Sequence, residues 1–93
     1  MTKPHIREED EVALLEDLRD PYYIIVYNDN VNSFEWVIEC FMSILGHSPE
    51  QSEQLAFIID YKGKATVKSG SLTALAPLAE ALSEKGLSAK IEN

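Results

Sequence analysis

The chain holds a single cysteine, Cys40, in 93 residues. A lone cysteine excludes an intramolecular disulfide and a cysteine-based zinc cluster. It lies among apolar residues at helical spacing, which reads as a small buried hydrophobe rather than a nucleophile. Bases are scarce as well. Eight Lys and Arg stand against 16 Asp and Glu, for a net charge of −8. Phosphate backbones are held by clustered Lys and Arg, so this balance argues against nucleic acid. Acidity keeps a small domain soluble, and it also suits a basic partner surface. No apolar run is long enough to span a bilayer, and the N-terminus lacks the charged-then-apolar order of a secretion signal. The expectation is a reduced, cytoplasmic setting without membrane contact. Phosphate-binding loops, dinucleotide glycine fingerprints and paired-histidine metal motifs are all missing. The pattern calls for no cofactor, no metal and no catalytic residue. His5 and His47 lack partners at ligand spacing and read as solvated.

What is present divides at Pro21. Residues 1–20 carry Glu8, Glu9, Asp10, Glu11, Glu16, Asp17 and Asp20 and no aromatic residue. They read as a flexible acidic arm. Residues 21–93 read as one small domain.

In that domain Tyr22–Val26 is β-branched and aromatic, the pattern of a strand, with apolar residues on both parities as in a central one. Asn28–Ser33 is a loop. Asn32 or Ser33 caps a helix marked by Phe34, Val37, Ile38, Phe41 and Leu45, and Asn32-x-x-Glu35 resembles a capping box. Gly46 fits its end. Ser48-Pro49-Glu50-Gln51 starts a second helix, with Leu55, Ile58 and Ile59 on its buried side. Gly63 ends it. Ala65 and Val67 alternate with polar residues in a half-buried strand. Ser71 caps a third helix with the stripe Leu72, Leu75, Ala79 and Leu82, and Pro77 predicts a kink or restart within it. Gly86 closes this helix, and Leu87, Ala89 and Ile91 alternate in a last strand. The order is β-α-α-β-α-β. It predicts an α+β domain with a three-stranded antiparallel sheet and three helices packed on one face.

Two places carry candidate chemistry. Asn28-Asp29-Asn30 closes the first strand with a carboxylate and two amides, a set that can hold a small cationic or amide ligand. The same residues also make a good turn, and spacing alone favours the turn. Asp60 meets the negative end of the second helix dipole, a mildly unfavourable position for an acid. It is either an exposed charge or a carboxylate facing the Asn28–Asn30 loop. In the second case Asp29 and Asp60 could bind an ammonium group, and their closeness would raise at least one pKa.

The run Tyr27-Asn28-Asp29-Asn30, the helix Phe34-Glu35-Trp36-Val37-Ile38, the segment Gln54-Leu55 and the run Tyr61-Lys62-Gly63-Lys64-Ala65 resemble the ClpS family. The resemblance covers roughly Tyr22 to Glu92. It implies the ClpS-like fold, which is also similar to the C-terminal domain of the ribosomal stalk protein. It implies a non-enzymatic adaptor that binds the α-amino group and first side chain of proteins beginning with Leu, Phe, Tyr or Trp. Such an adaptor delivers them to a Clp ATPase, whose ClpA- or ClpC-type N-terminal domain is the implied partner, and it acts as a monomer.

Carried over residue by residue, Asn28, Asp29, Asn30 and Asp60 take the α-amino site. Asn32, Phe34, Val37, Ala56, Ile59 and Leu87 take the side-chain pocket, with Phe34 at a gate position. Two departures matter. The family loop reads Asn-Asp-Asp, and here the second acid is the amide Asn30. Asp60 stands where the family places a pocket histidine. Leu75 and Glu80 fall near the family's ATPase contacts, and no docking residue is carried over. The competing reading is a ClpS-like regulator that binds the ATPase but has lost N-degron recognition. A weaker one is an enzyme using Asp29 and Asp60 as an acid/base pair, for which no nucleophile is evident.

Overall fold

The central strand is the most apolar one, because it is covered on both sides along the sheet and by helices from one face. A computed structural model describes residues 21–93. The expected acidic arm and His5 lie outside the described residues. Strand β1 spans Tyr22–Tyr27, helix α1 Phe34–Leu45, helix α2 Pro49–Lys62, strand β2 Lys64–Gly70, helix α3 Leu72–Glu84 and strand β3 Ser88–Glu92. The β-α-α-β-α-β order expected from the sequence is the observed one.

The sheet order is β2-β1-β3, and both pairings are antiparallel. Tyr27 stands opposite Lys64 on one side and Ser88 on the other. The β1–β2 register shifts between Ile24 and Ile25. Ile24 and Val26 point to the helices and are 0% and 2% exposed. With them in one core lie Ala65 and Val67 of β2, Cys40, Phe41 and Leu45 of α1, Ile59 of α2, and Leu75, Ala79 and Leu82 of α3. Burying a side chain of this size contributes about 1.5–3 kcal/mol. On the open face, the Tyr27 ring lies between the Lys64 and Lys90 ammonium groups, 5.8 and 6.0 Å from its centroid.

Each helix begins on a serine. Ser33 Oγ accepts from Trp36 N at 3.1 Å, Ser48 Oγ from Gln51 N at 3.1 Å and Ser71 Oγ from Ala74 N at 3.2 Å. Such caps contribute about 1 kcal/mol each. Ser33 therefore takes the cap that Asn32 could have taken, and Asn32 is released for another role. Gly46 and Gly63 end α1 and α2 in the left-handed conformation.

Three expectations need correction. Ile58 is 39% exposed. The buried stripe of α2 runs through Ser52, Ala56 and Ile59, with Leu55 half-buried, because small residues let α2 approach α1 closely. Helix α3 does not restart at Pro77, which lies inside one helix. Pro77 and Thr73, whose carbonyl loses its helical donor, are both exposed, where the lost bond costs less than it would in the core. His47 is half-buried, and its Nε2 donates to the Val67 carbonyl at 2.7 Å. Among the described residues no helix is long and apolar enough to cross a membrane.

Candidate functional site

One carboxylate organises the loop between β1 and α1. Asp29 Oδ1 accepts from the backbone N–H groups of Val31 and Asn32, both at 2.9 Å. Its Oδ2 accepts from Asn32 Nδ2 at 2.8 Å and Ser88 Oγ at 3.4 Å. A carboxylate offers about four acceptor positions, so these four donors occupy it. The backbone N–H groups of Asn32 and then Val31 hold its pKa below the ordinary value, against a smaller desolvation effect. The pairing of side-chain oxygen with N–H groups two and three residues on is the turn chemistry of aspartate.

Asn32 is fixed at both donors. Its Nδ2 also gives a hydrogen bond to the Gly86 carbonyl at 2.9 Å. Both partners are acceptors, so the amide orientation is determined, and Oδ1 is the group left to offer. Trp36 Nε1 donates to the Lys85 carbonyl at 3.1 Å. Loop and α1 start are thus pinned to the turn between α3 and β3.

The facing wall comes from α2. Asn28 N donates to the Gly63 carbonyl at 2.8 Å, and Gly63 N returns to the Ile59 carbonyl at 2.8 Å. Gly63 has φ 92°, a conformation that L side chains adopt only with strain. The bond sets Asn28 beside the last turn of α2, which carries Ile59 and Asp60.

Between these walls lies a hollow of about 50 Å³ lined by Asn28, Asn32, Phe34, Val37, Ala56, Ile59 and Asp60. Ala56 and Ile59 are buried and make its floor, with Val37 half-buried. Asn28 and Asp60 are exposed at its rim. Phe34, 37% exposed, also borders an open groove of about 440 Å³ on the outer side of α2. The lining thus joins exposed polar and acidic groups to buried apolar ones. That combination suits a ligand with a cationic head and an apolar body.

Three expected site residues fall outside the lining. Asp29 spends its carboxylate on the loop and Ser88. Its pKa moves opposite to the rise that a close Asp60 would cause. Asn30 is exposed, away from the hollow. Leu87 is 5% exposed and belongs to the core, its N–H returning to the Leu82 carbonyl at 3.1 Å. Cys40 is 1% exposed, and burial pushes its thiol pKa up, as befits a packing residue. Sequence reasoning gave no role to the Trp36 anchor or the Phe34 groove. The anchor partner is 49 positions away, and the groove was hidden because Ile58 was expected on the buried side of its helix, where it is in fact 39% exposed.

Residues 17–90 match the family model described as "ATP-dependent Clp protease adaptor protein ClpS". The chain is 31% identical over 83 residues to the ATP-dependent Clp protease adapter protein ClpS of Streptomyces coelicolor, covering 89% of this chain and 86% of that one. It is 34% identical over 70 residues to the Corynebacterium diphtheriae adapter of the same name, covering 75% of this chain and 62% of that one. The structure of Agrobacterium tumefaciens ClpS2 bound to L-phenylalaninamide superposes with a TM-score of 0.71 at 20% identity, covering 77% of this chain and 94% of that one. The shared fold, the order of elements and the match across most of the domain mean that this chain belongs to the ClpS family of Clp protease adaptors.

Proposed function

We propose that the protein is a non-enzymatic adaptor that binds the free N-terminus of proteins beginning with a bulky apolar residue. The observation that carries this reading is the mixed lining of the hollow, acceptors at the rim and Val37, Ala56 and Ile59 inside. An α-ammonium has three N–H donors. Asp60 supplies a carboxylate, and the Asn28 and Asn32 side chains supply amide oxygens. Charge-assisted hydrogen bonds of this kind are the strong ones. Asp60 would thus replace the family histidine with a charged acceptor, and the loss of an acid at Asn30 would matter little, since that position lies off the hollow. L-Phenylalaninamide, bound by the Agrobacterium relative, has the same pairing of free amine and apolar side chain.

A volume of about 50 Å³ falls well short of the roughly 150 Å³ that holds a benzene ring. A bulky first side chain therefore requires the hollow to widen. Delivery would follow through a Clp ATPase N-terminal domain of the ClpA or ClpC type, with the monomeric adaptor acting in the cytoplasm and the acidic arm engaging the ATPase. Removal of residues up to Asp17 should leave peptide affinity unchanged and slow ATPase-dependent degradation of a Leu- or Phe-starting substrate.

The direct test is fluorescence anisotropy with peptides that differ only in the first residue, each free and acetylated. Leu, Phe, Tyr or Trp with a free amine should bind, and their acetylated forms should not. Equal binding of free and acetylated peptides, or of Ser- and Leu-starting ones, would refute the reading and leave the ATPase-binding regulator.

A further inference from the structure

The outer face of α2 carries more apolar surface than a solvated helix needs. Phe57, Ile58 and Tyr61 are 62%, 39% and 78% exposed, and the Phe57 and Tyr61 rings stack with centroids 6.3 Å apart. Phe57 and Ile58 join Phe34, Gln54 and Glu53 around the open groove of about 440 Å³. This volume lies within the range of ligand sites, roughly 300–1,000 Å³. The groove adjoins the small hollow, with Phe34 as the wall between them. Among the described residues neither lining contains a lysine or arginine, while Glu53 borders the groove and Asp60 the hollow. Both features fit one cationic, apolar chain crossing Phe34.

We infer that the groove is a subsite for the third residue of the same N-terminal peptide and favours an apolar, especially aromatic, side chain there. The inference rests on the N-terminal reading proposed above. In an extended peptide, successive side chains alternate, so the first and third project to one side, roughly 6.6–6.8 Å apart. With the first side chain in the hollow, the second points to solvent and the third meets the groove beyond Phe34. Phe57 and Ile58 supply apolar contact, and Gln54 can pair with the peptide backbone. Glu53 disfavours an acidic residue at that position and favours a basic one near it. Substrates are thereby sorted by two side chains rather than one.

The test uses fluorescent peptides Leu-Ser-Xaa-Lys with Xaa as Trp, Ser or Asp, free and acetylated, against the full chain. Trp should bind roughly three- to tenfold more tightly than Ser, less than area alone would give because the peptide must be ordered. Asp should bind more weakly than Ser. Phe57→Gln, at an exposed helical position, should keep the affinity for the Ser peptide and abolish the Trp gain. Free-amine and first-residue dependence with no effect of the third residue overturns this inference and leaves the N-terminal reading standing. Loss of free-amine dependence overturns both. A Trp gain that survives Phe57→Gln also overturns the groove assignment.

Discussion

Replacing Asp29 by asparagine tests how the loop is built. The side chain keeps its shape and loses its charge. One oxygen can still accept from Val31 and Asn32, which donate at 2.9 Å. The other becomes an amide NH2 facing the Asn32 Nδ2 donor, now 2.8 Å away. Two donors cannot pair, so Asn32 is displaced, and its bond to the Gly86 carbonyl at 2.9 Å weakens with it. Hydrogen bonds to a charged group contribute about 1.5–3 kcal/mol when shielded. Asp29 is only half-buried, so solvent reduces this, and a total loss of roughly 1–2 kcal/mol is expected. For a domain of this size that is about 5–15 °C in Tm. Urea unfolding followed by fluorescence of the single Trp36 reads it.

The pH dependence gives a second, independent check. The folded pKa of Asp29 is lowered from its ordinary value. Its contribution is therefore complete above the unfolded pKa of about 3.9 and disappears as the pH falls through the lower folded value. The stability difference between parent and Asp29→Asn should shrink on acidification below about pH 4. Peptide affinity should fall severalfold in the variant, because Asn32 lines the hollow. Unchanged stability together with an unchanged pH profile would show that the four contacts do not organise the loop.

Ser52 is fully buried, and its Oγ has no hydrogen-bond partner among the described residues. Ser52→Ala should raise stability by about 1 kcal/mol by removing an unsatisfied hydroxyl and improving helix propensity; a loss in thermal unfolding would contradict this. Cys40, buried and with its thiol pKa raised, should react with a thiol reagent only as fast as the native domain opens. Rapid stoichiometric labelling of folded protein would show the α1 packing to be wrong. Ile24→Ala, at a position 0% exposed in the central strand, should cost about 2–5 kcal/mol in urea unfolding.

The fold was legible because local signals agreed. Serine caps, terminal glycines and alternating or helical apolar spacing marked all six elements, and their order left one compact arrangement. What was illegible depended on partners distant in sequence. The side of α2 that is buried is set by Ser52 and Ala56, which apolar periodicity overlooks because they are small. Trp36 and His47 find their carbonyl partners at Lys85 and Val67, which no local pattern indicates. At the hollow, Asn28, Asn32, Phe34, Val37, Ala56, Ile59 and Asp60 were named from the sequence through the family resemblance, and they meet in space. Asp29 illustrates the limit. Its residue type suited both a turn and a ligand, and only the positions of four donors distinguish the two.

The ammonium contact of Asp60 is tested most directly by a double-mutant cycle. Affinities of a Leu-starting peptide, free and acetylated, are measured for the parent and for Asp60→Asn. If the carboxylate holds the α-ammonium, the substitution should weaken the free peptide roughly tenfold to a hundredfold, the equivalent of about 1.5–3 kcal/mol. Acetylation should cost the parent at least as much and the variant far less, because both changes remove one interaction. Strictly additive effects, or an Asp60→Asn protein that binds both peptides as the parent does, would contradict the N-terminal amine site.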